Sequence, residues 1–152
     1  MVTKEGYHMD FVIREHNLSD YMGIWTLNKE EMGYEYPIED TQANLMRIAS
    51  NSTDRIYVAV SGDEVIGYIH ACDYDLIYAH HMKNIMGIAV SKAWKHKGIG
   101  RALLSAVEQW AKETGAKGIR LVSGASRTGA HMFYRRCGYE GDKMQLKLKK
   151  EL

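Results

Sequence analysis

"WKHKGIGRALL", residues 94–104, sets three basic side chains ahead of two glycines at the point where a helical pattern begins. Glycine is a poor helix residue because ordering it costs more backbone freedom than any other residue, so its use at a helix start needs a cause. Upstream, NIMGIAV (residues 84–90) is a largely apolar run suited to a strand buried on both faces. Downstream, Ile99, Leu103, Val107 and Trp110 recur at helical spacing until Gly115, a C-terminal cap. The spacing predicts strand 84–90, loop 91–97 and helix 98–114. A helix start bare of side chains exposes unpaired N–H groups, and the helix dipole favours an anion there. Lys95, Lys97 and Arg101 add charge suited to a phosphate.

Two other glycine motifs are excluded by their neighbours. A dinucleotide-binding turn requires a third small residue where this chain has Leu103, and the next strand, GIRLVSG (118–124), has no acidic residue for a ribose. GASRTGAH (124–131) has the glycine spacing of a phosphate loop, but Ala130-His131 stands where Lys-Ser/Thr is required.

Working outward, the 152 residues suit one domain, 1–152, with a single core. Twenty Lys and Arg against nineteen Asp and Glu leave a formal charge of +1, which argues against a dedicated nucleic-acid binder. No apolar run has the length of a membrane span, and MVTKEGYHMDFVI is too polar for an export signal. Cys72 and Cys137 form no Cys-x-x-Cys pair, and both are expected as reduced thiols. A cytoplasmic protein with no membrane or nucleic-acid partner is expected.

FVIR (11–14) reads as a first strand, and 18–32 as a helix capped by Asn17 or Ser19 with Tyr21, Ile24, Trp25 and Leu27 inward. After Tyr36-Pro37, residues 41–50 read as a second helix with Leu45, Ile48 and Ala49 inward. RIYVAV (55–60) and EVIGYIHACDY (64–74) flank Ser61-Gly62-Asp63, a hairpin signal. Ala130, Phe133 and Cys137 share one face of a short helix ending at Gly138. DKMQLKLKK (142–150) alternates, with Met144, Leu146 and Leu148 facing one way and lysines the other, and is expected as a last strand. The whole predicts an α/β (α+β) fold. Its single mixed, mostly antiparallel sheet would have about six or seven strands, with helices on both faces.

The glycine turn resembles that of the GNAT superfamily, the acyl-CoA-dependent N-acetyltransferases, whose pattern is Arg/Gln-x-x-Gly-x-Gly/Ala after a strand ending in valine. VSKAWKHKGIGRALL matches that frame from Val90 to Leu104, with Lys95 in place of Arg or Gln. RTGAHMFYRRCGYE resembles a second family motif, with Ala130, Phe133, Tyr134, Gly138 and Tyr139 in register and Arg127 in place of an asparagine. The resemblance implies acetyl-CoA as co-substrate and no metal. It assigns the pyrophosphate to Lys95, His96, Lys97, Gly98, Gly100 and Arg101, with a further phosphate contact from Arg127. It also implies that 84–90 is bulged and diverges from 118–123. Ile88 N–H would then meet the thioester carbonyl, and Val90 the pantetheine arm. Tyr134 is the implied acid for the departing thiolate.

A base is not assigned. Where some relatives carry a glutamate before Gly-Ile, this chain has Met86. His80, His81, Glu30, Glu31 and Glu35 are candidates near the same cleft, each with a plain reading as a surface residue. NKEEMGYEYPIED (28–40), dense in carboxylates and tyrosines, suits a cationic acceptor. The leading expectation is acetyl transfer to a small primary amine such as a polyamine or amino sugar. A protein or peptide acceptor, and a non-catalytic acyl-CoA sensor, stay open, as does a homodimer.

Overall fold

The computed structural model describes residues 10–152; the first nine, on which the expectation about export bears, lie outside the described residues. The described residues group into two compact units, one running to Leu121 and the other Val122–Leu152.

The first unit is a five-stranded sheet in the order β1 (Val12–Glu15), β2 (Asp54–Ser61), β3 (Glu64–Tyr74), β4 (Met82–Val90), β5 (Ile119–Leu121). The first three pairings are antiparallel, and β4 with β5 is parallel. The β2–β3 hairpin turns on Gly62, whose φ of 58° is left-handed and suits a residue without a Cβ.

Helices α1 (Tyr21–Met32) and α2 (Ile38–Ala49) cover one face of the sheet. Their apolar stripes bury Ile24 and Leu45 against Ile56, Val58 and Val60 of β2, with Val65 and Tyr68 of β3 alongside. The second helix starts at Ile38 rather than Thr41, because Pro37 pre-sets the entry and Glu39 and Asp40 favour a first turn. Helix α3 (Ile99–Glu113) covers the other face through Ile99, Leu103, Leu104, Val107 and Trp110. It lies so close to β3 that a Cβ on Gly67 would stand 3.2 Å from the Ile99 side chain and 3.3 Å from that of Leu103.

Under α3 the sheet carries one buried charge. Lys83 is 1 % exposed, with its Nζ 2.5 Å from Asp73 Oδ1 and 3.9 Å from the centre of the Trp110 ring. A carboxylate and an aromatic face together compensate the ammonium for lost water.

The second unit contains α4 (Thr128–Arg136), ended by the left-handed Gly138. Residues 142–150 form no strand, so the sheet has five strands rather than six or seven. Alternation specifies two faces, but a strand exists only where its backbone pairs with a neighbour. Met144, Leu146 and Leu148 are 74 %, 88 % and 85 % exposed, so the expected face is not covered. Cys72 and Cys137 are free thiols, and no helix among the described residues is long and apolar enough to cross a membrane.

The entry to α1 is clamped by Asp20, which is 6 % exposed. Arg14 donates to both its carboxylate oxygens, at 2.8 and 3.0 Å, and the Asn17 N–H donates at 2.7 Å. Burial alone would push the Asp20 carboxyl up, but these three donors and the Arg14 charge hold it below its usual value. The stability from this clamp is therefore full above an unfolded aspartate's pKa of about 3.9, and is lost as pH falls through the lower folded value. Asp20→Asn should lower the thermal midpoint at pH 7 and shrink its fall between about pH 5 and pH 2, read by circular dichroism at a series of pH values.

Candidate active site

The centre of the site is β4. Its register against β3 shifts between His70 and Ala71: His70 lies opposite Gly87 and Ala71 opposite Ile85, leaving Met86 as an extra residue. This bulge turns Met86 outward, 58 % exposed. Pairing with β5 covers only Lys83–Ile85. Ser91 N–H donates to Ile66 O at 2.8 Å, so by the alternation of an antiparallel ladder Ala89 and Gly87 also face β3. Ile88 and Val90 therefore aim their amides at the opposite edge, where no described strand of the sheet pairs with them.

Beyond Val90 the chain makes a short turn (Lys92–Trp94) and then two left-handed residues, His96 at φ 64° and Gly98 at φ 83°. A left-handed histidine is uncommon, and alternation of left- and right-handed residues turns successive N–H groups toward one concavity. Gly98 caps α3 without any side-chain bond, and Ala102 N–H is the amide that returns to Gly98 O, at 3.0 Å. The amides before Ala102 thus lack an intrahelical acceptor. Nothing lies within 4 Å of the place a Gly98 Cβ would occupy, so the turn is open from outside. Lys95, His96, Lys97 and Arg101 are exposed around it, and Gly100 is partly covered. A helix start with open amides and basic side chains around it is an arrangement that can hold an anion.

Helix α1 holds this turn in place. Glu31 Oε2 accepts the Lys92 N–H at 2.9 Å, and Glu31 Oε1 stands 4.0 Å from Lys95 Nζ. Three residues earlier, Asn28 Oδ1 accepts the Tyr68 hydroxyl at 2.5 Å. A Cβ on Gly87 would come within 3.4 Å of that hydroxyl, so Tyr68 stands beside the bulge on the α1 side. Burial pushes the Tyr68 phenol up, against the pull of its bond to Asn28.

The histidines named from sequence are not at this end of β4. His81 precedes the strand, about 17 Å of extended chain from Met86. Its Nδ1 is 2.7 Å from Asp75 Oδ1 and its Nε2 is 3.2 Å from Lys83 Nζ, so it serves the buried-charge cluster. His80 is exposed in the loop before it, and Glu30 and Glu35 are exposed as well. Tyr68, Asn28, and the Asp54–His70 pair described below escaped the sequence reading. The available signal was β3 itself, where Tyr68, His70 and Cys72 alternate with Gly67, Ile69 and Ala71.

In the second unit, Arg127 occupies the N-cap of α4, and its N–H donates to Gly124 O at 3.0 Å. Tyr134 is 8 % exposed, with the rings of Phe133 and Tyr139 at 5.3 and 6.1 Å. Burial pushes its phenol up, helped by Cys137 and opposed by Arg127, so it keeps its proton at neutral pH.

Residues 21–139 match the model of the Acetyltransferase (GNAT) family. The chain is 29% identical over 123 residues to an aminoalkylphosphonate N-acetyltransferase of Salmonella typhimurium, covering 80% of this chain and 77% of that protein. It is 25% identical over 107 residues to an aminoglycoside N(6')-acetyltransferase type 1 of Stenotrophomonas maltophilia, covering 67% and 70%. Its fold is that of the aminoglycoside N-acetyltransferase AAC(6')-Iy in complex with CoA, with a TM-score of 0.85 at 18% identity over 99% of this chain and 100% of that one.

Glu31→Ala should free the Lys92 amide. A hydrogen bond to a charged group is worth about 1.5–3 kcal/mol. Amide exchange at Lys92, followed by NMR, should therefore speed up by roughly tenfold or more, with core amides of β2 and β3 unchanged.

Proposed function

This chain belongs to the GNAT acetyltransferase family, and from that premise we propose that residues 1–152 act as one transferase domain. It carries an acetyl group from acetyl-CoA to the primary amine of a small molecule, of the polyamine or amino-sugar kind, by direct attack in a ternary complex. The observation that carries this reading is the path along β4: the bulge at Met86, the outward Ile88 and Val90 amides, and the uncapped basic turn follow one another without interruption. Both similar proteins are, by name, acetyltransferases of small amine-bearing molecules, which supports a small acceptor. A cationic one also suits the exposed Tyr34, Glu35 and Tyr36 between α1 and α2.

In this reading the Ile88 N–H polarises the thioester carbonyl and takes up the charge that develops on its oxygen. Val90 bonds the pantetheine arm. Lys95, His96, Lys97, Gly98, Gly100 and Arg101 hold the pyrophosphate through backbone amides and charge, and Arg127 adds a phosphate contact. Tyr134 gives its proton to the departing sulfur. An ordinary tyrosine and an ordinary thiol differ by about 1.5 pK units, a cost of about 2 kcal/mol for the transfer.

An amine panel with acetyl-CoA, followed by release of free thiol, tests the reading. Turnover of small amines supports it, turnover of peptides alone replaces the acceptor class, and no turnover leaves an acyl-CoA sensor. Gly100→Val should weaken acetyl-CoA binding by more than about tenfold in calorimetry, because a branched side chain keeps the pyrophosphate from the backbone. Tyr134→Phe keeps the ring packing, so acetyl-CoA affinity should hold while kcat falls by about one to three orders of magnitude.

A further inference from the structure

We infer that His70, oriented by Asp54, is the group that takes the proton from the acceptor amine; this rests on the transferase reading above. An alkylammonium has a pKa of about 10, so most of an acceptor arrives protonated and must lose a proton before its nitrogen can attack. Met86 supplies no base, and His81 and Glu31 are engaged elsewhere.

His70 is at the right place. It is the cross-strand partner of Gly87, about 5.5 Å away between Cα atoms, and the next residue along β4 is Ile88. It shares the face of β3 with Tyr68, whose hydroxyl stands over Gly87, and the bulge at Met86 opens β4 just there.

His70 is also prepared for the task. Its Nε2 lies 2.7 Å from Asp54 Oδ2, with the two side chains 18 % and 14 % exposed. Asp54 is fixed in turn by the Thr53 hydroxyl, which donates to Oδ1 at 2.9 Å. A carboxylate accepts, so Nε2 is the donor to Asp54, and in the neutral imidazole Nδ1 then carries the lone pair. Nδ1 has no partner among the described residues. The groups around the pair are Asp54 from β2, Cys72 at the next position on the same face of β3, and His16, whose ring nitrogen is 3.4 Å from Ile56 O. Burial, then Asp54 and Asp73, push the Cys72 thiol up, so it stays neutral. Asp54 and His16 also line a cavity of about 280 Å³ with Asn51 and Ser52, on the Asp54 side of the pair.

The step balances as follows. The ammonium passes one proton through water to His70 Nδ1, and its freed lone pair forms the C–N bond to the thioester carbon. The C–S bond breaks with its electron pair on sulfur, and a second proton from the nitrogen ends on that thiolate by way of Tyr134. The imidazolium then releases its proton to solvent. One ammonium and one acetyl thioester become one amide, one thiol and one proton.

His70→Gln tests the assignment, because its side-chain amide still donates to Asp54 while the basic nitrogen is gone. With an alkylamine acceptor, kcat should fall by about a hundredfold or more, with the KM for acetyl-CoA within about twofold. With an acceptor already neutral at the assay pH the loss should shrink to under about threefold, a difference that a merely structural role would not produce. Asp54→Asn, which also serves if the first variant does not fold, should show a smaller loss with the same dependence on the amine. A His70→Gln enzyme within threefold of the parent on alkylamines, or equally impaired on both kinds of amine, overturns the assignment alone. Absence of amine-dependent thiol release from the parent protein overturns the transferase reading and the assignment together.

Discussion

The register break at Met86 obliges β4 to behave as two strands laid end to end. The first half is closed on both edges: Lys83 N–H donates to Gly118 O at 3.0 Å, Lys117 N–H donates to His81 O at 2.9 Å, and β3 holds the other side. The second half is held by β3 alone. A strand with one unpaired edge is less well anchored, and here the closed half carries the compensating cluster of Lys83, Asp73 and Trp110 directly beneath α3. Pairing is concentrated in the first half, which leaves the amides of Ile88 and Val90 without a described strand partner.

The same division governs the charged residues. Lys83 and His81 look in a sequence like Lys95 and His96, a basic residue and a histidine near an end of the same strand. Burial separates them: the first pair is tied to Asp73 and Asp75, whereas the second is exposed around an open turn, with Lys95 only at the 4.0 Å edge of Glu31. Charge acts structurally where a counter-charge and low dielectric fix it, and acts on a ligand where backbone amides stand unpaired beside it.

How much could be read beforehand follows from where each signal is encoded. The strand–turn–helix around Gly98 was legible because glycine position, apolar run and helical period are side-chain properties, and the hairpin at Gly62 was legible for the same reason. The bulge was not legible in the residues themselves, since IMGIAV reads the same with or without an extra residue in the ladder. The C-terminal alternation misled because Met144, Leu146 and Leu148 describe a face without naming what would cover it. Tyr68 and His70 went unnoticed inside a strand read only for its apolar half, although their alternation marked the polar face. Glu31 acts through an N–H sixty-one residues away, and no local pattern announces such a contact.

That contact has a consequence for how ligands at the two places would affect each other. Helix α1 touches the sheet beside the Met86 bulge through Asn28 and the glycine turn through Glu31, one helical turn apart along the same rod. A ligand that settles α1 from one side therefore settles the turn on the other, and linkage requires the influence to run equally in both directions. Whichever ligand arrives first prepares the surface for the other, so the two arrivals are coupled through a single carboxylate without a fixed order.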